Sequence, residues 1–376
     1  MTKTLFSTAA LEEVTEIKQK RAYDKLNQLH LPIIALGHAR KEAEPDRGET
    51  NQLESESYIK KHNSSRSILS DKGLRKTLRF DYHETAKHQE NPMSKLLKAA
   101  PFVEEKLEHL KLMCAELKDK GLTPRMEVIL VGVHRASKLY TTKKKKFCES
   151  FGAECEIHRL DEKIDEASFL RKLKEMAENP KVHGCFVQLP LPDHLSGLDV
   201  AHLIPPEKDV DGFHPENLYN VMLGSGKALW PCTPLGIMQL LEYYQIPVLS
   251  KHVVIIGRSM IVGKPLAQMM TNANATVTLC HSRTKNLHEY TKQADIIVSA
   301  VGRSRYLNES YLNEGGQQVL IDVGINHDEE GKLCGDIDAE KIKDKVHAYT
   351  PVPGGVGPLT ILSLSQNLLQ AAKNHL

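Results

Sequence analysis

Several absences narrow this chain before any motif is read. Its seven cysteines are scattered singly with no C-x-x-C pair, so neither a zinc site nor a disulfide framework is indicated. An odd, dispersed set fits a reducing compartment, and the expected location is the cytoplasm. No apolar run approaches the ~18–20 residues needed to cross a bilayer, so no membrane partner is expected. The only apolar patch near the start, Leu5 to Leu11, runs at once into Glu12 and Glu13, against a secretory or transit segment. A surplus of one charge is missing too. The formal net charge is +2, which makes no electrostatic case for nucleic acid. Aromatics are scarce at 5%, beside an apolar fraction of 40%, and 376 residues suit two or three domains.

Three zones follow. Residues 1–92 form a polar extension. Leu5 to Leu31 fits one amphipathic helix, whereas Ala43 to Pro92 has too few large apolar residues to offset ordering entropy and is expected to be partly disordered. Residues 93–230 alternate helices and strands. Val103 to Lys120 is a helix by its apolar spacing, Met126 to Val131 a strand, Ser137 to Phe151 a helix and Cys155 to Leu160 a strand. Phe169 to Glu178 is a helix and Gly184 to Leu189 a third strand. Residues 231–353 repeat the rhythm, with short β-branched strands at His252–Ile256, Ala275–Leu279, Asp295–Val301 and Gln318–Val323. The fold class is therefore α/β, with two parallel-sheet domains, the second Rossmann-like and NAD(P)-binding. A last helix, Thr360 to Ala372, is expected to pack back, so that 354–376 joins 93–230 as one domain.

Strand His252–Ile256 runs into Gly257-Arg258-Ser259-Met260-Ile261-Val262-Gly263-Lys264-Pro265. This is where a dinucleotide fold needs its phosphate loop, because backbone N–H groups at a helix N-terminus bind phosphate. Arg258 adds a fixed charge with fork geometry. The next strand ends in His281-Ser282-Arg283, without the acidic residue that binds a ribose 2′-hydroxyl. Ser282 and Arg283 suit a 2′-phosphate, which favours NADP over NAD; the bland reading is surface polarity after a strand.

Tyr140 and Lys144 stand four apart on a helix that follows a parallel strand, at the edge where such folds bind ligands. The lysine run 143–146 surrounds the helix, so the other three read equally well as a solvated face. Gln188 is polar within an apolar strand end and needs a partner if buried. Asp209 and Asp211 have no further ligands nearby, so no metal is expected. Asp209 reads as a turn residue. Asp211 is either a turn residue or a carboxylate for a heterocyclic N–H and amino group. Pro351 to Leu359 holds three prolines and three glycines before the final helix, a stiff turn that either joins domains or lets a ligand approach backbone.

From about Val128 onward the chain resembles the bifunctional methylenetetrahydrofolate dehydrogenase/methenyltetrahydrofolate cyclohydrolase family. The matching segments are 136–146 (ASKLYTTKKKK), 187–192 (VQLPLP), 208–213 (KDVDGF), 231–236 (PCTPLG) and 257–265 (GRSMIVGKP). After them come 280–284 (CHSRT), 321–326 (IDVGIN), 335–338 (GDID) and 351–360 (PVPGGVGPLT). The resemblance implies oxidation of 5,10-methylenetetrahydrofolate with NADP, then hydrolysis of the methenyl product to 10-formyltetrahydrofolate. It implies Tyr140 and Lys144 as the active-site pair, Gln188 as the lysine's hydrogen-bond partner and Asp211 as the acid that holds the pterin. Tyr140, Val187, Gln188, Leu189, Asp211, Pro351, Pro353, Gly354 and Gly355 would line the substrate. Thr233, Gly257, Arg258, Ser259, Val262, Gly263, His281, Ser282, Arg283, Ala300, Val301, Gly302 and Ile325 would line the cofactor. The implied partners are tetrahydrofolate derivatives and a second copy in a homodimer.

The chain departs from the family in Gly132 to Ser137, in Thr141 where valine is usual, and in Leu96 to Val103, where the N-terminal glycine segment has lost its glycine. Two other readings compete. Y-x-x-x-K also marks short-chain dehydrogenases, but there the glycine loop precedes the pair, and here Gly257 follows it. A folate- and NADP-binding protein that has lost turnover and acts through its extension is opposed by Tyr140, Lys144, Gln188 and Asp211 all being present.

Overall fold

The computed structural model describes residues 94–226 and 228–376, with backbone alone at 135 and 136. The expected helix at 5–31 and the polar stretch 43–92 lie outside the described residues.

The described chain enters through β1 (Lys95–Leu96) and α1 (Ala100–Asp119). Pro101 sits in the first turn of α1, where its missing N–H costs nothing, and Phe102, Leu110, Cys114 and Leu117 form the buried stripe. β2 (Arg125–Val131) is buried from Met126 onward, its apolar residues as a central parallel strand demands and Glu127 through its bonds to Arg125 and His158. Helix α2 (Arg135–Ser150) starts at His134, whose Nδ1 accepts the backbone N–H of Ser137 at 3.3 Å. After β3 (Glu154–Leu160), Asp165 caps α3 (Glu166–Glu178) by accepting from Ser168 N at 2.9 Å. β4 (Gly184–Val187) closes a parallel sheet in the order β3-β2-β4. It is shorter than the expected Gly184–Leu189, because Pro190 and Pro192 have no N–H to give a ladder.

Helices α4 (Pro215–Met222) and α5 (Cys232–Tyr243) lead into the second sheet. There follow β5 (His252–Ile256), α6 (Gly263–Asn272), β6 (Thr276–Cys280), α7 (Leu287–Thr291), β7 (Ile296–Ser299) and β8 (Val319–Asp322). A small antiparallel hairpin, β9 (Asn326–His327) with β10 (Leu333–Cys334), precedes α8 (Ala339–Ile342) and β11 (Ala348–Tyr349). The sheet order is β1-β11-β8-β7-β5-β6, all parallel, which is the doubly wound arrangement expected. The strand limits agree with the sequence reading to within one or two residues. β7 stops early for a specific reason: the N–H of Val301 is taken by the Asp336 carboxylate at 2.7 Å instead of a strand. The edge pairing of β1 with β11 and helices α4 and α5 were not foreseen.

The final helix α9 (Val356–Asn374) begins four residues earlier than read, with Pro358 inside its first turn. It packs on α5, where Gly236 meets Leu359 so closely that a Cβ on Gly236 would overlap the Leu359 side chain. One hydrophobic cluster runs through both sheets, from Val128 and Phe186 to Val253 and Ile321, and takes in the buried stripe of α9. Both strand sets therefore share one core. Among the described residues, no helix is long and apolar enough to cross a membrane.

Candidate active site

Lys144 is the centre. Its side chain is 4% exposed, an unusual position for an ammonium. Its Nζ lies 3.7 Å from Asp211 Oδ1, 3.8 Å from the centroid of the Phe186 ring and 5.1 Å from that of Tyr140. Charge and two aromatic faces replace lost hydration, each ring being worth about 2 kcal/mol to a desolvated cation. Helix α2 brings Tyr140 and Lys144 to one face, as i, i+4 spacing requires. Asp211 arrives from the loop after β4, and Phe186 from β4 itself.

Tyr140 is hydrogen-bonded to Thr360 of α9, and burial pushes its hydroxyl above the ordinary tyrosine value; that bond opposes the shift, while Asp211 and Cys232 add to it. Thr360 Oγ1 in turn lies 2.9 Å from Thr233 Oγ1. One chain of contacts thus joins α2, the start of α5 and the final helix.

Asp209 has the turn role expected of it. It accepts from the backbone N–H groups of His214 at 2.6 Å and Gly212 at 3.1 Å, and from Asn217 Nδ2 at 3.1 Å. Burial pushes its carboxyl up to about 6 against these donors. Asp211, two residues on, is left to face Lys144. Asn367 of α9 fixes the loop from behind, donating to Val210 O and Trp230 O, both at 2.8 Å.

One expectation fails here. Gln188 makes no hydrogen bond to Lys144; its Nε2 donates to Leu189 O at 2.8 Å, and its buried Oε1 has no partner among the described residues. Val187 is buried and Leu189 is 47% exposed at the rim. Pro351 to Gly355 forms a turn against α1, with Gly354 O accepting from Ala99 N at 2.9 Å.

The nucleotide loop lies between β5 and α6. Gly257 has φ of +125°, and a Cβ there would strike Ala300 O. A Cβ on Gly263 would strike Gly257 O. Ser259 Oγ accepts from Val262 N at 3.2 Å and Gly263 N at 3.4 Å, which closes the first turn of α6. The result is a tight backbone turn at a helix N-terminus, with glycines at its two close approaches, the polarity that phosphate oxygens need. Val262 is buried and Arg258 exposed beside it. At the end of β6, Thr284 Oγ1 accepts from His281 N at 2.9 Å and His281 Nδ1 from Arg283 N at 3.1 Å. That small turn leaves the Ser282 and Arg283 side chains exposed, available to a ribose phosphate. Ala300, Val301 and Gly302 follow β7, and Ile325, 63% exposed, follows β8. These residues fit a dinucleotide carrying a 2′-phosphate.

Among the described residues, one group could hold a metal: Glu127, Glu156 and His158, away from this site. Arg125 already bonds Glu127 Oε1 through Nε at 3.0 Å and Nη2 at 2.9 Å, so the group reads as an ion-pair network. Sequence reasoning missed Phe186, Thr360, Cys232, Asn367 and Asp336. Asn367 carried a usable signal: like Gln188, it is an amide in an apolar run and must find partners when buried.

The tetrahydrofolate dehydrogenase/cyclohydrolase NAD(P)-binding domain matches residues 231–376, and the catalytic domain of the same family matches 97–211. Bifunctional protein FolD of Bacillus subtilis (strain 168) is 48% identical over 272 residues, 72% of this chain and 95% of that protein. The solved bifunctional FolD enzyme, a methylenetetrahydrofolate dehydrogenase/cyclohydrolase, from Campylobacter jejuni is 43% identical, with a TM-score of 0.72 over 75% of this chain and 100% of that one. A Trypanosoma brucei methylenetetrahydrofolate dehydrogenase-cyclohydrolase, solved with NADP and an inhibitor, is 29% identical, with a TM-score of 0.71 over 76% and 99%.

Proposed function

The chain belongs to the tetrahydrofolate dehydrogenase/cyclohydrolase family, and from that premise we infer that it is an enzyme of one-carbon metabolism with two activities. It oxidises 5,10-methylenetetrahydrofolate to the 5,10-methenyl cation, and it hydrolyses that cation to 10-formyltetrahydrofolate. NADP, when bound, supplies the hydride acceptor. The observation that carries the reading is a buried ammonium set between two aromatic rings and a carboxylate.

The roles follow from position. Tyr140 offers a ring fixed by Thr360, on which the flat substrate stacks. Asp211, half-buried, accepts from the pterin N–H and amino group. Lys144 stands at the reacting carbon. Water adds to the methenyl carbon there and must lose a proton as the C–O bond forms; Lys144, having first shed its own proton to solvent, accepts that proton as the neutral amine. The hydroxyl then gives up its remaining proton as the carbonyl forms, the C–N bond breaks and the nitrogen takes a proton, so two protons leave, one is taken up and one is released overall. Gln188 turns its unpartnered oxygen toward the substrate side once substrate displaces its bond to Leu189 O. Pro351 to Gly355 closes over substrate, and the residues from Gly257 to Gly263 with Ser282 and Arg283 hold the cofactor. Residues 93–230 with 354–376 act as the folate-binding domain and 231–353 as the NADP-binding domain.

Two further readings belong here. The outer edge of β3 pairs with nothing among the described residues, and an open edge strand invites a second copy, so the working unit is a homodimer. All seven cysteines are free and buried, which suits the reducing cytoplasm.

Absorbance at the methenyl band tests the activities. Growth of the band with 5,10-methylenetetrahydrofolate and NADP, and decay of added methenyltetrahydrofolate faster than the blank, are the expected results. No growth with NADP or NAD would move the chain to a binding role.

A further inference from the structure

Asp336, whose carboxylate ends β7 at Val301, is fully buried and has no part in the roles assigned above. Its Oδ2 accepts from the backbone N–H of Val301 at 2.7 Å and Gly302 at 3.3 Å, and from Ser299 Oγ at 3.3 Å. Its Oδ1 accepts from Arg303 N at 2.9 Å and Asn326 Nδ2 at 2.9 Å. Three successive N–H groups of the loop after β7 therefore converge on one carboxylate. Without it these part-buried N–H groups would lose the one acceptor that holds them in a fixed direction, and the loop its defined shape. That loop begins at Ala300, the residue packed against Gly257 of the nucleotide loop, and Asn326 directly follows Ile325.

Asp336 is itself held. Asp322, at the end of β8, accepts from Asp336 N at 2.9 Å, Gly324 N at 2.9 Å and Ile337 N at 2.8 Å. The N–H of Asp322 donates to Thr350 Oγ1 at 2.7 Å, and Thr350 is the residue before the Pro351 loop. A Cβ on Gly335 would strike the Asp322 carboxylate, and one on Gly324 would strike that of Asp336, so there is no room for the pair to shift. The two aspartates thus link both walls expected at the cofactor's reactive end to the root of the loop expected over the folate.

We propose that Asp336, braced by Asp322, is a positioning residue that sets the cofactor-side loop 301–303 and residue 325 at a fixed distance from the substrate loop. The proposal rests on the functional reading above. Hydride transfer needs both walls in register, whereas hydrolysis of the methenyl cation needs the folate side alone. The carboxylate touches neither ligand; it acts through the backbone.

The test is Asp336→Asn in the full chain. One carboxylate oxygen becomes a donor facing other donors. NADP affinity, measured by calorimetry without folate, should weaken at least tenfold, and kcat/KM for NADP should fall by more. Hydrolysis of added methenyltetrahydrofolate should change less than threefold, which also reports folding. Asn326→Ala, which removes one donor at the surface-facing side, should weaken NADP in the same direction by a smaller factor and serves if the first variant does not fold. Unchanged NADP affinity in the folded variants, or equal loss of both activities, would overturn the proposal. If the unaltered protein hydrolyses no methenyltetrahydrofolate, the functional reading fails instead, and NADP affinity alone decides the role of Asp336.

Discussion

Lys144→Met separates the two chemistries. Methionine keeps an unbranched apolar chain in the buried channel and removes only the ammonium. The ammonium stands 3.7 Å from Asp211. At an effective dielectric of about 20, attraction at that distance is about 4.5 kcal/mol. Removing the lysine also removes the desolvation penalty that this attraction offsets, so the net effect on stability is much smaller. The side chain of Asp211 is 17% exposed, so its carboxylate can hydrate when left alone. The variant should therefore fold, with an unfolding midpoint within a few degrees of the parent.

Catalysis is affected differently. A positioned acid or base contributes about 10²–10⁴ in rate, or about 2.7–5.4 kcal/mol. Addition of water to the methenyl carbon must release a proton at the moment the C–O bond forms, and hydride departure releases none. Decay of methenyltetrahydrofolate should slow by about 10²–10⁴, toward the blank. Growth of the methenyl band with NADP should persist at a larger fraction of the parent rate. Cyclohydrolase rates within threefold of the parent would refute the assignment of Lys144. An equal fall in both steps, carried in KM, would make the residue a binding group instead of a proton carrier.

Three more perturbations test the cofactor side and the extension. Arg283→Ala should weaken NADP by about tenfold, the lower end for a charge-assisted bond because the guanidinium is exposed, and leave NAD unchanged; an equal effect on the KM of both nucleotides would remove the 2′-phosphate argument. Gly257→Ala puts a methyl group against Ala300 O at a φ of +125°, so NADP titration should show at least tenfold weaker binding while cyclohydrolase activity falls far less; parallel loss of both would make the loop a matter of folding. Deleting residues 1–90 should preserve both specific activities, and a chain that no longer folds would show that the extension packs on the rest.

What the sequence disclosed was local. Periodicity and apolar runs placed each buried strand of the two parallel sheets within a residue or two, because those signals are carried by neighbours along the chain. Tyr140 and Lys144 were legible through helix spacing, and Gly257 and Gly263 through their place between a strand and a helix. The two-residue strands β1 and β11 were not, since Lys95–Leu96 earns its strand character only by pairing with Ala348–Tyr349. The expected bond from Gln188 to Lys144 depends on a side-chain rotamer that the sequence does not carry: the amide nitrogen donates to Leu189 O and the oxygen is left without a partner among the described residues.

Two of the residues that escaped notice, Asn367 and Asp336, share a physical property: each satisfies backbone groups distant in sequence. Asn367 donates to the carbonyls of Val210 and Trp230, and Asp336 accepts from Val301, Gly302 and Arg303. A buried polar side chain announces only that it needs partners. Which partners it has depends on how α9 lies across α5, and on how the β9–β10 hairpin brings residue 336 back beneath β7. Both act on irregular segments just beyond strand ends, where the backbone loses its sheet partners and where ligands in such folds bind. A parallel sheet exposes unpaired N–H and C=O groups at the place where it needs a defined shape. Buried amides and carboxylates from later in the chain supply the missing partners. On that argument Asn367 stands to the Asp211 loop as Asp336 stands to the Val301 loop. The two halves of the site are set by the same device, one through an amide that donates and one through a carboxylate that accepts.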